Sequence, residues 1–225
     1  MSTTARRSIP LTALTAIVLL AGGCSDDTSS MAPPADSMSA PPADPANEAA
    51  VTETAPQGDL ATAEAFIDAF YSFEADQLAP MLASAPESAP RLLYYQGWAE
   101  GGNYVVVERR PCSADDAGIV NCPVKVRDDP VQALGTGFDV TDTFHLTFAD
   151  AVLVKVETSS NDQDVYHQAR AWVEANMPEV MAGPCADRNT SAGTPGDCAR
   201  AMTAGYAAFV ASPDFPGVPP LPTEE

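Results

Sequence analysis

The chain has 225 residues, with 31 Asp and Glu against 11 Lys and Arg, for a formal net charge of −20. That balance argues against nucleic acid as a partner, because affinity for phosphate comes from Lys and Arg, and against electrostatic attachment to an anionic lipid surface. Hydrophobic residues make up 45% of the chain, too many for a disordered polymer and enough for one domain with appendages.

Residues 1–24 read as a targeting segment rather than part of the fold. Arg6 and Arg7 give a positive start, Leu11 to Gly23 are uncharged and largely apolar, and Cys24 follows. The apolar run of 13 residues falls short of the roughly 20 that cross a bilayer as a helix. The stretch LLAGGC resembles the lipobox of bacterial lipoproteins, with Ala21 where Leu is commoner. The resemblance implies a diacylated Cys24 at the mature N-terminus, a palmitate-type anchor in the cell envelope, and membrane association through that lipid alone. Ser25 after the Cys implies the outer membrane, periplasmic side, in a diderm cell. Residues 25–57 carry six Pro among Ala, Ser and acidic residues, with no hydrophobic period, and read as a disordered tether.

The globular part is expected over residues 58–211. Residues 60–73 place Ala63, Phe66, Ile67, Phe70 and Phe73 on one helical stripe. A short second helix begins at Asp76 and carries Leu78, Met81 and Leu82. A third, capped by Glu87 or Ser88 with Pro90 in its first turn, runs to Trp98 and stops at Gly101 and Gly102. Strands follow at 104–109 and 120–126 around a turn at 114–118. Residues 141–148 alternate, with Phe144, Leu146 and Phe148 on one face and Thr143, His145 and Thr147 on the other; 151–156 returns as a fourth strand. A long helix from Asp162 or Asp164 carries Val165, Ala169, Trp172, Val173, Met177 and Val180. Thr194 and Pro195 open a last helix ending near Ala211, and the Pro-rich residues 212–225 read as a disordered tail.

Helices, an antiparallel meander and helices again make an α+β domain. The order of FIDAFYSF, the aromatic third helix and the TFHLTFADAVLVKVE hairpin resembles the SnoaL-like, nuclear transport factor 2-like superfamily, over about residues 60–211. The Trp-containing helix with Cys185, Cys198 and the last helix resembles an extension found in secreted members. The resemblance implies a curved antiparallel sheet wrapped around the N-terminal helices as a hollow cone.

Apart from Cys24, four Cys remain, which suits two disulfides in an exported domain. Of the three possible connectivities, the two local ones, Cys112–Cys122 and Cys185–Cys198, are preferred. Placing Cys112 opposite Cys122 sets Val105 and Val107 against charged partners, so a β-bulge or kink is expected near Pro111 or Pro123.

Tyr71, Tyr94, Tyr95 and Trp98 are candidates for a cavity mouth, where rings with polar tips orient a ligand. His145 is a further candidate ligand-binding residue, although its strand face points away from Phe144 and Leu146. Asp142, three residues away, lies on the opposite face and forms no dyad with it. His167, in the first turn of a helix, reads as a surface residue. The pairs Asp115-Asp116 and Asp128-Asp129 read as solvated turns. The Asn161–Asp164 stretch lacks the central Gly of a calcium loop, and no phosphate loop, GxSxG or HExxH is present. No catalytic residue, metal or cofactor is assigned. Three functions are compatible with these features. The first is non-catalytic binding of a small apolar or amphipathic ligand, or of a protein partner. The second is a cyclase, dehydratase or isomerase working by proton transfer in the cone. The third is a structural module forming a homodimer. The direction of His145, Asp139 and Asp142 decides the enzyme reading, since catalysis needs a titratable group with a shifted pKa facing a cavity; sedimentation decides the structural one.

Overall fold

The computed structural model describes residues 54–186 and 194–221; the targeting segment, Cys24 and most of the tether lie outside the described residues. Three helices come first, α1 (Thr54–Tyr71), α2 (Ala75–Met81) and α3 (Ala89–Gly101). Strands β1 (Val105–Arg109), β2 (Ser113–Ala114) and β3 (Val120–Arg127) lead to a one-turn helix α4 (Asp129–Gln132) and the hairpin β4 (Val140–Ala149) and β5 (Val152–Ser160). Helices α5 (Asp164–Asn176), α6 (Pro178–Ala182) and α7 (Pro195–Val210) follow. The strands form one open antiparallel sheet in the order β1-β3-β4-β5, with β2 also paired to β3. The domain is α+β.

The apolar stripe of α1 forms the centre of the first core. Ala63, Phe66, Ile67 and Phe70 are all buried, and Phe70 meets Phe144 of β4 edge to face at 4.7 Å between centroids. Each such Phe contributes roughly 1.5–3 kcal/mol by leaving water. Phe73 leaves the stripe, because the helix ends at Tyr71 and Phe73 takes a positive φ of 60°. The carbonyls left open at that helix end are satisfied from α3: the Gln96 side-chain amide donates to Ala69 and Phe70 oxygens, each at 3.0 Å. Arg109 of β1 reaches back to Glu64 and Asp68 of α1. Ser84 and Ser88 bond the β5 backbone at Leu153 and Val156, fixing the helices over the sheet.

On β4 the alternation is strict: Val140, Asp142, Phe144 and Leu146 are buried, while Thr141, Thr143, His145 and Thr147 are only half-buried. β5 runs four residues further than its sequence pattern indicates, to Ser160. A second core gathers Leu134, Val165, Ala169, Val173, Met202, Tyr206 and Phe209 beneath α5 and α7. The single long helix expected through Val180 is broken. α5 ends at Asn176 and α6 begins at Pro178, because a residue before proline is pushed out of helical geometry.

Both local disulfides form, Cys112–Cys122 and Cys185–Cys198. The register irregularity occurs twice. Ser113 faces Asn121 whereas Arg109 faces Val124, so an extra residue sits in the stretch around Pro111, the expected place. A second shift falls between Val106 and Glu108. Val105, Val106 and Val107 are exposed, as is every residue of β1, the edge strand of the sheet. Asp128 corrects another expectation. It is buried, not solvated, and its carboxylate accepts the Val131 N–H at 2.9 Å as the N-cap of α4. Asp115 does sit in an exposed turn, accepting from Ala117 and Ile119 N–H. At the C-terminal end, Asp214 accepts a bond from the Trp172 indole and Phe215 packs on Phe209.

Candidate functional site

A cavity of about 350 Å³ lies between the inner face of β4 and β5 and helices α3, α5 and α7. Its deep wall is made by Asp142 of β4 and Tyr95 and Trp98 of α3, joined by Tyr104, Tyr166 and Tyr206. The chain builds this site by simple periodicities. Alternation turns Asp142 inward two residues before Phe144, and one helical turn separates Tyr95 from Trp98 on the same face of α3.

Asp142 is 4% exposed. The Tyr95 hydroxyl donates to its Oδ2 at 2.5 Å, and the Tyr95 ring is held by Phe70 at 5.1 Å and by Phe144 at 6.2 Å. Burial pushes the Asp142 carboxyl up to about 7, the Tyr95 hydrogen bond pulls it back down, and the Asp162 charge raises it again. The Tyr71 hydroxyl is buried without a formed hydrogen bond, yet lies near enough to Asp142 for each to shift the other's titration. Asp128 is likewise pushed up to about 7, first by burial and then by Asp142, Asp162 and Asp129, against the Val131 N–H bond that lowers it. Burial first, and the Asp142 charge next, hold the Tyr95 hydroxyl far above its ordinary range; Tyr104 is raised by burial and by Asp128. At neutral pH the site therefore combines a carboxyl that is close to half-ionised with phenols that stay protonated as donors.

The residues singled out from sequence divide. Tyr94, Tyr95 and Trp98 line the cavity. Tyr71 lies behind Asp142 on α1 and is not part of the lining. His145 is on the other face of the sheet, where its ring nitrogens meet Asn121 Oδ1 at 2.5 Å and Ser159 Oγ at 2.8 Å. Asp139 is also outside, paired with Arg127 at 2.9 Å. His167, exposed as expected, stands at the cavity mouth with Arg91 and Arg170.

Sequence reasoning named Asp142 only as a group whose direction would decide the enzyme reading, and did not nominate Tyr104, Tyr166 or Tyr206. The signal for Asp142 was present in the strand's parity, which puts it on the Phe144 face. The three tyrosines come from a loop and two C-terminal helices, whose placement no local pattern carries. Among the described residues no group of His, Cys, Asp and Glu is arranged to hold a metal ion, and no helix is long and apolar enough to cross a membrane. Comparison with protein families, curated proteins and solved structures finds no match for this chain.

Proposed function

We propose that this protein is a lipid-anchored envelope protein whose globular domain, a SnoaL-like cone, binds a small amphipathic molecule in its cavity. The observation that carries the reading is a cavity lined by aromatic rings with one buried carboxyl, Asp142, in its wall, the mix of rings and a few polar groups found in small-molecule sites. The anchor at Cys24 and the Pro-rich tether support a domain working at the envelope rather than in bulk solution. Native mass spectrometry of the purified protein tests the ligand, with a co-purifying small molecule lost in a Trp98→Ala, Tyr95→Ala variant as the expected result. Release of a Cys24→Ser protein from membranes tests the anchor; continued membrane association counts against it.

Proton-transfer catalysis is the second reading, favoured by Asp142. A carboxyl near neutrality beside a phenol donor suits abstraction of a proton next to a carbonyl, with Tyr95 bonding the developing oxyanion. Exchange of α-hydrogens for deuterium in a bound ketone, abolished by Asp142→Asn, is the outcome this reading requires. Binding without exchange leaves the non-catalytic reading.

A further inference from the structure

Granting that the cavity holds a ligand, the geometry points to a small organic cation, an ammonium group seated against Asp142 with its apolar body among the rings of Tyr95, Trp98, Tyr104 and Tyr166. Asp142 is buried, aimed into the cavity, and satisfied at one oxygen by Tyr95 alone. The groups that set its titration are Tyr95, Tyr71 and Asp162, none of them cationic. A carboxylate removed from water without a positive partner costs several kcal/mol, and a ligand ammonium supplies that partner. Aromatic faces around a cationic centre add cation–π attraction that is stronger when desolvated.

The other charges around the site agree. From β4, the stretch before α4 and the loop after β5 come three carboxyls, Asp142, Asp128 and Asp162. From α3 and α5 come the positive groups Arg91, Arg170 and His167, and all three are exposed at the mouth. Arg91 is engaged with Thr158, its Nη2 donating to Oγ1 at 2.5 Å, and Arg170 with Glu174 at 3.3 Å. The tyrosines of α1, α3, α5 and α7 stay neutral. Among the described residues the interior thus presents negative charge and ring faces, and no cation of its own.

The test is calorimetric titration of the full-length protein with three probes of one shape, benzylamine, benzyl alcohol and benzoate, at about pH 5.5 and about pH 8. Benzylamine is expected to bind best, and more than about tenfold tighter at the higher pH, because an Asp142 that titrates near 7 must be ionised to hold it. At the lower pH its binding releases a proton, read from the dependence of the heat on buffer ionisation enthalpy. Asp142→Asn, checked for folding by its Tm, removes the pH dependence and weakens benzylamine about tenfold or more, and benzyl alcohol by much less. Tyr95→Phe retains the ring and moves the pH midpoint upward. His167→Gln retains the dependence, which separates the interior acid from a histidine at the mouth. If benzyl alcohol or benzoate binds as well as benzylamine, the cation assignment is overturned and the cavity reading stands. If none of the three binds, both are overturned.

Discussion

The inner face of β4 has two ends that differ in kind. Around Phe144 and Leu146 it is dry: Phe66, Ile67 and Phe70 of α1 are buried with it, and the rings of Phe66 and Phe70 pack edge to face on Phe144. Two residues towards the strand's start, Asp142 occupies the same face, and there the packing opens into the cavity. Burial is equal at the two positions, 0% exposed at Phe144 and 4% at Asp142. What differs is the sign of its effect, since leaving water stabilises the ring and destabilises the charge. A position where a chain keeps a carboxyl at such a disadvantage is the position to examine for function.

Removing a ring from the dry end should cost the most. Phe144→Ala deletes the centre of a ring cluster with Phe66, Phe70 and Tyr95, and about 3–5 kcal/mol of stability should be lost in denaturant titration. A loss under about 1 kcal/mol would mean that the dry end is not the domain's main core. Opening either disulfide comes next. Cys112 and Cys122 span a short loop, as do Cys185 and Cys198, and each double Ser variant should lose about 3 kcal/mol by the chain-entropy argument. The Cys185–Cys198 pair lines the cavity, so its removal should also weaken ligand binding, whereas loss of Cys112–Cys122 should affect stability alone.

The dry end was legible because it depends on one period at a time. The α1 stripe and the alternation of β4 are each written in a single segment, and both fold as their spacing indicates except at their far ends, where Phe73 leaves the helix and a register shift falls at Phe148. The local disulfides were legible for a similar reason, since each closes over few residues. The exposure of Val105 and Val107 was not legible, because it follows from β1 being an edge strand whose five residues are all exposed, and edge position is not written in a strand's own sequence. Asp128 was misread because an Asp-Asp-Pro stretch looks like a turn until the helix it caps is in view. The cavity was legible only in part. Tyr94, Tyr95 and Trp98 follow from one helix face, but the other three tyrosines arrive from separate elements: Tyr104 packs against the first core, Tyr206 belongs to the second and Tyr166 touches both.

The polar end should respond in the opposite sense to the dry one. Unfolded, Asp142 loses its proton near 3.8, whereas folded it keeps it up to about 7. Within that window the native state holds the extra proton, so stability falls as pH rises and levels off above the folded value. Asp128 contributes in the same direction. Asp142→Asn should therefore be more stable than the parent at about pH 8, by on the order of 1–3 kcal/mol, and nearly equal to it at about pH 4, with roughly half of the pH slope gone. A variant less stable at both pH values would mean that the carboxylate is compensated in the folded protein, and the contrast between the two ends would disappear.

The smallest effect belongs to His145, three residues along the same strand. Alternation sends it to the outer face, where Asn121 and Ser159 hold its ring among partly solvated neighbours. Replacement by Gln keeps a polar group between those partners, so stability should change by less than about 1 kcal/mol. Binding in the cavity should change little, because alternation places His145 and Asp142 on opposite faces of the sheet and only Ser159 touches both His145 and the cavity. Measuring both substitutions against one ligand isolates facing from proximity. Equal effects would mean that the two residues share a site and that the strand's parity has been misassigned, whereas a loss confined to Asp142 assigns the chemistry to the inner face.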